Sequence, residues 1–279
     1  MSTRHILTGP DGVGLHVRTS GTPAGRPILF VHGFAQSLWC WRKQLAAPEL
    51  QHYNLVAFDL RGHGRSDKPG HTGSYQSSTV WADDIATVIG GMALDNPVVV
   101  FWSYSGLVLC DYIRHYGCRA ISGINLVSAR TKVGTPVARQ MSGSLFIDLV
   151  PGFCSTVAEE REAAVRRFLE NLTQSVIPDP DFYTMLGYNL AVPAHVCAAM
   201  LDRSLDNDDV LQGLATPVLV THGDKDSSVL PVMAEHHARI IPGAELSLWP
   251  GVGHAPFYED ASRFNSELAF FAARCFGAP

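Results

Sequence analysis

The sequence predicts an α/β fold: a mostly parallel central sheet with helices on both faces and a helical insertion over one edge of the sheet. Three observations carry this. Short continuous apolar runs recur along the chain, and helical patterns alternate with them. One long middle segment, residues 130–214, breaks the alternation with helix-like pieces alone. Apolar runs without alternation suit strands buried on both faces, as in parallel sheets. Strand following helix in turn implies a sheet covered on both sides.

The elements follow in order. Residues 14–19 alternate like a half-buried strand. Apolar runs at 27–32, 55–59, 98–102, 121–127 and 217–222 read as buried strands. Helical patterns cover 79–89, 106–116, 230–240 and 261–273, the last with Phe264, Leu268 and Phe271 on one stripe. Within the middle segment, helices are expected at 157–172, 179–189 and 193–205, parted by the proline-bearing stretches at 178–180 and 191–193. With 279 residues, one large domain is expected. Its core is residues 1–129 and 215–279, and residues 130–214 form a lid over the carboxyl edge of the sheet, where open α/β sheets bind ligands.

Composition narrows the function. A net charge of −5 without a basic stripe argues against a nucleic-acid partner. The twelve histidines are scattered and no Cys/His group has zinc-ligand spacing, so no metal is expected. The amino-terminal stretch lacks the apolar run of a secretory signal, and the uncharged run at 96–110 is too short for a bilayer. A cytoplasmic protein without a membrane partner is expected, its six widely spaced cysteines remaining thiols.

Four stretches carry chemistry. At 98–109 a strand runs into Ser103 and then a helix, with small Ser105 and Gly106 in its first turn. A serine on such a sharp turn has its hydroxyl exposed, with a helix amino terminus facing the developing oxyanion. At His32-Gly33-Phe34, a glycine loop after a strand turns a backbone N–H toward the same point. Phe34 N–H and Tyr104 N–H are the candidate oxyanion donors. Past a late strand, Asp224 and Asp226 both qualify as the acid that orients a base. His254, in the loop Gly251-Val252-Gly253-His254-Ala255-Pro256, completes the order Ser, Asp, His. An imidazole can take the serine proton at neutral pH while a buried carboxylate fixes its tautomer.

Over nearly its whole length the chain resembles the α/β-hydrolase superfamily, in its short-lid esterase, cofactor-free haloperoxidase and perhydrolase-like branch. The matching pieces are His32-Gly33-Phe34, residues 58–67 (FDLRGHGRSD), Trp102-Ser103-Tyr104-Ser105-Gly106, residues 222–226 (HGDKD) and Gly253-His254-Ala255-Pro256. The resemblance implies Asp226 rather than Asp224 as the triad acid, and a loop-tying role for Asp59 and Arg61. One departure stands out. The family's elbow reads Gly-x-Ser-x-Gly, and Phe101 and Ser105 occupy the glycine positions. Phe101 either fits a local gap, distorts the turn, or marks an altered member; the first is expected because every other site element is present.

The resemblance implies a serine hydrolase cleaving a small or medium uncharged ester or lactone through an acyl-enzyme on Ser103, with no cofactor. Serine at the elbow disfavours the dehalogenase and epoxide hydrolase relatives, which need aspartate there. The same triad would also serve perhydrolysis, or hydrolysis of a carbon–carbon bond or an amide. A ligand-binding receptor without catalysis is the remaining alternative. Trp39, Trp102 and Phe257 flank the catalytic pieces and are the expected apolar walls for a small acyl substrate.

Overall fold

A computed structural model describes residues 3–277; positions 1–2 and 278–279 of the expected core, and the first residues of the amino-terminal stretch, lie outside the described residues. The strands are β1 (Thr3–Thr8), β2 (Gly14–Gly21), β3 (Pro27–Val31), β4 (Asn54–Phe58), β5 (Val98–Trp102), β6 (Gly123–Val127), β7 (Lys132–Val133), β8 (Leu205–Asp206), β9 (Val218–Gly223) and β10 (Glu245–Trp249). Among the described residues, eight of them form one sheet in the order β1-β2-β4-β3-β5-β6-β9-β10. β1, β2 and β4 pair antiparallel, and every pairing from β4 to β10 is parallel. β3, β5, β6 and β9 are buried along their whole length, as their unbroken apolar character requires.

Helices cover both faces of the sheet. Ser78–Gly91 and Ser105–Tyr116 pack against each other, and Ala261–Cys275 packs near Arg42–Leu45 and β6. β1 and β10 have no counterpart among the expected strands. Both are edge strands with one side in solvent, so neither shows a continuous apolar run.

Between β6 and β9 the chain runs through the helices Pro136–Gln140, Ser144–Cys154, Ala158–Glu170, Asp179–Leu190, Ala194–Leu201 and Asp208–Gln212. Its neck is a two-stranded ribbon in which Lys132 pairs with Asp206 and Val133 with Leu205. The Lys132 ammonium, almost fully buried, reaches both Asp206 and Asp208. The helix expected at 193–205 ends at Leu201, because the following residues enter the ribbon.

The residues 58–67 form a buried polar brace. Asp59 accepts from Leu38 N–H, Arg65 N–H and His16 Nδ1. Burial alone would raise its carboxyl; the His16 bond and the neighbouring His32 outweigh this and hold it low. Arg61, fully buried, grips Asp84 with two N–H groups at 2.7 Å and Asp11 with a third. Four segments distant in sequence are thereby tied beneath the loops that follow β3 and β4.

Candidate active site

Because β3, β5, β6, β9 and β10 run parallel, their carboxyl ends lie at one edge of the sheet, and each delivers one residue there. Phe34 follows β3, Ser103 follows β5, Arg130 follows β6, Asp226 follows β9 and His254 follows β10.

Ser103 has φ of 57°, in the left-handed region that non-glycine residues rarely adopt. Such a conformation costs about 1–3 kcal/mol and persists only when its surroundings hold it. Here Ser103 N–H donates to Val127 O, and Ser103 O accepts from Gly106 N–H and Arg130 N–H. A Cβ on Gly33 would stand 2.9 Å from the Ser103 Cβ, so only glycine lets the loop after β3 approach this close.

The two elbow departures are absorbed locally. Ser105 Oγ lies 2.9 Å from Trp102 O and 3.0 Å from Val31 O, so its hydroxyl bonds to the ends of β5 and β3. Phe101 is completely buried in β5, paired with Val31 on one side and Leu126 on the other. The left-handed turn is kept.

The three polar side chains converge. Ser103 Oγ stands 3.0 Å from His254 Nε2, and His254 Nδ1 stands 2.7 Å from Asp226 Oδ2. Asp226 Oδ1 accepts from the N–H groups of Ser228 and Val229 at 2.8 and 2.9 Å. Burial would raise this carboxyl, but the electrostatic pull of the adjoining His254 and the hydrogen bonds from His222 and His254 hold it far below the usual carboxylate range. An ionised Asp226 requires the proton on His254 Nδ1, which leaves Nε2 to accept from the Ser103 hydroxyl. Asp224 instead accepts from Gly251 N–H, away from the histidine, and its side chain is partly exposed.

The histidine loop is held from two sides. Trp102 Nε1–H donates to His254 O at 2.9 Å, and His254 N–H donates to Leu172 O of the helical segment at 2.8 Å. Phe34 and Tyr104 are both buried at the wall of the chamber that contains Ser103 and His254. Among the described residues neither backbone N–H donates to a protein acceptor.

Two expected wall residues lie elsewhere. Trp39 is 41% exposed and carries the Arg18 guanidinium over its ring at 4.2 Å. Phe257 begins the short helix Pro256–Glu259, which turns it into the core against Trp41 and Trp102, with ring centroids at 4.2 and 4.8 Å. Trp102 does border the chamber.

Some residues of the site have no place in the sequence reading. His222, at the end of β9, sets Nε2 2.9 Å from Val229 O and 3.2 Å from Asp226 Oδ2, so Asp226 is shared between two imidazoles. Gln36, Arg130, Phe146, Phe168 and Leu201 line the chamber. Arg130 alone had a usable signal: it lies just past a parallel strand on the carboxyl edge. Among the described residues no three His, Cys, Asp or Glu side chains gather as a metal site, and no single helix is long and apolar enough to cross a membrane.

Residues 28–267 match the alpha/beta hydrolase family. Among solved structures, the esterase RhEst1 from Rhodococcus sp. ECU1013 is 36% identical, with a TM-score of 0.90, covering 97% of this chain and 98% of that one. Among curated proteins, a non-heme haloperoxidase of Rhodococcus erythropolis is 26% identical over 95% of this chain and 98% of its own length. The bifunctional esterase/perhydrolase DCH of Acinetobacter calcoaceticus is 24% identical over the same shares.

Proposed function

The chain belongs to the alpha/beta hydrolase family, and on that premise we propose that it is a serine hydrolase that cleaves carboxylic esters or lactones through an acyl-enzyme on Ser103. The observation that carries the reading is the continuous relay from Ser103 Oγ through His254 to a buried, ionised Asp226. A receptor without catalysis has no use for it.

The steps follow from the geometry. Ser103 Oγ attacks the substrate carbonyl as His254 Nε2 takes its proton, and Asp226 supports the imidazolium that results. The carbonyl oxygen becomes an oxyanion held by Phe34 N–H and Tyr104 N–H, each such donor being worth about 2.7–4 kcal/mol in the transition state. His254 then hands the proton to the leaving alcohol. Water, activated by the same imidazole, attacks the acyl-enzyme and releases the acid. The segment 130–214 serves as a lid, since it supplies Phe146, Phe168 and Leu201 to the chamber and holds the histidine loop through Leu172. The six cysteines are free thiols, which suits the cytoplasmic residence expected from the sequence.

A fluorophosphonate should label the folded protein and not its Ser103→Ala variant, and the variant should lose turnover of a chromogenic short-chain ester. Unlabelled wild type, or equal labelling of both, overturns the reading. The names of the haloperoxidase and esterase/perhydrolase relatives favour a second outcome of the same acyl-enzyme, attack by hydrogen peroxide. Peracid formed in a Ser103-dependent manner on adding peroxide would establish it.

A further inference from the structure

Among the described residues, Arg130 is the one charged side chain on the chamber wall, beside the imidazole of His254. It is 94% buried by its exposure of 6%, and among the described residues no carboxylate stands within ion-pair distance of it. Its guanidinium spans two spaces. One terminal nitrogen donates to Ser142 Oγ, and the other to Ser228 O at 3.1 Å. Ser228 faces the chamber at Ser103, whereas Ser142 faces an adjoining cavity of about 610 Å³ beneath the helix Ser144–Cys154. The chamber itself has room for about 10 Å³, near the space of a single water. Arg130, Phe146 and Leu201 form the wall common to both. An ester that reaches from Ser103 into the larger space therefore passes Arg130.

The charge there is one-sided. Among the described residues, the larger cavity is lined by Arg130 and Arg139 and by no acidic residue, in a chain whose net charge is −5. Burial lowers the Arg130 guanidinium to about 10, still fully protonated at neutral pH, and the charge of Asp226 acts against that lowering. A buried cation is costly unless paired. Two of its five N–H donors are engaged, both by neutral oxygens, and its central carbon stands 5.2 Å from the centroid of the Phe146 ring. The planar fork of a guanidinium is shaped for a carboxylate.

The geometry points to a substrate that itself carries a carboxylate: an ester whose reacting group sits at Ser103 while its free carboxylate pairs with Arg130 at the mouth of the larger cavity. This rests on the hydrolase reading and sharpens it. It departs from the uncharged ester expected from the aromatic residues of the sequence, where Arg130 had not been counted.

The test compares esters matched in shape. One pair is the para-nitrophenyl half-ester of adipic acid and the ester in which an isopropyl group replaces the free carboxylate. A second pair places the charge on the alcohol side, as para-acetoxybenzoate and para-isopropylphenyl acetate. In at least one pair the wild type should favour the carboxylate by about tenfold or more in kcat/KM, the return expected of a charge-assisted bond. In Arg130→Met that ratio should fall by about tenfold, with Arg130→Lys in between. A guanidinium that merely balanced Asp226 would, once removed, slow both members of a pair alike and leave the ratio unmoved, which overturns the proposal. So does a wild type that favours the neutral ester in both pairs, and this holds even if Arg130→Met fails to fold. Turnover of neutral esters without carboxylate preference leaves the hydrolase reading standing; turnover of no ester by the wild type brings down both.

Discussion

Asp226 is the most constrained residue of the site, with two backbone N–H groups on one oxygen and two imidazoles beside the other. Asp226→Asn preserves the shape but removes the charge. The amide can present an N–H to His254 Nδ1, which favours the wrong tautomer. We expect kcat on a short-chain ester to fall on the order of ten-thousandfold, with the circular dichroism of the fold unchanged; a loss under tenfold would mean that another group orients His254. Ser103 and His254 were legible in the sequence because the first stands between a strand and a helix and the second in a glycine-bearing loop before a helix, where few structural roles compete. The choice between Asp224 and Asp226 was not legible from spacing, since both lie in one turn; the structure separates them by what each faces. Trp39 and Phe257 misled for the opposite reason. A bulky apolar residue beside a catalytic loop packs equally well into the core or onto the surface, and sequence proximity does not set its direction.

The elements that carry Ser103 are held by close backbone approach. A Cβ on Gly106 would stand 2.6 Å from Arg130 O, where the helix Ser105–Tyr116 starts against the end of β6. Gly106→Val should push that helix outward, lowering stability by about 1–3 kcal/mol and slowing fluorophosphonate labelling at Ser103. Urea unfolding and labelling rate measure the two effects; a variant with wild-type values in both would show that the contact carries no strain. The buried strands were legible at this scale because both their faces meet apolar partners. β10 was not: its sequence Glu-Leu-Ser-Leu-Trp has one parallel neighbour and a solvent side, and its Glu245 pairs with Arg274 at the protein surface. The helices Pro136–Gln140 and Ser144–Cys154 were missed as well. The first is only five residues long, and the second carries Gly152 and an internal Pro151, which weaken any helical signal in the sequence.

Across the whole molecule, burial of neutral histidines links folding to pH. His237 is fully buried with Nε2 2.8 Å from Thr131 Oγ1. Burial, then the neighbouring His222 and His236, push its imidazole down to about 3. An exposed imidazole in the unfolded chain titrates near 6.5. Above that value both states are neutral and the group has no pH effect. As pH falls below it, the unfolded chain takes up a proton that the folded chain refuses, so stability is lost progressively until the folded value is reached. Between about pH 7.5 and about pH 5.5 the wild type should therefore lose about 1.4 kcal/mol more than His237→Gln, read from urea unfolding at each pH. Parallel losses in both proteins would show that His237 is protonated in the fold. The fold class itself was readable at this scale because alternation of strand and helix persists over most of the chain, whatever the errors at single boundaries.

The bond from the Trp102 indole to the His254 carbonyl also has an optical consequence. The ring centroids of the two residues lie 5.5 Å apart, so the indole that holds the His254 loop sits close to its imidazole. Protonation or displacement of that imidazole should therefore change the Trp102 share of the ultraviolet emission, among the five tryptophans of the chain.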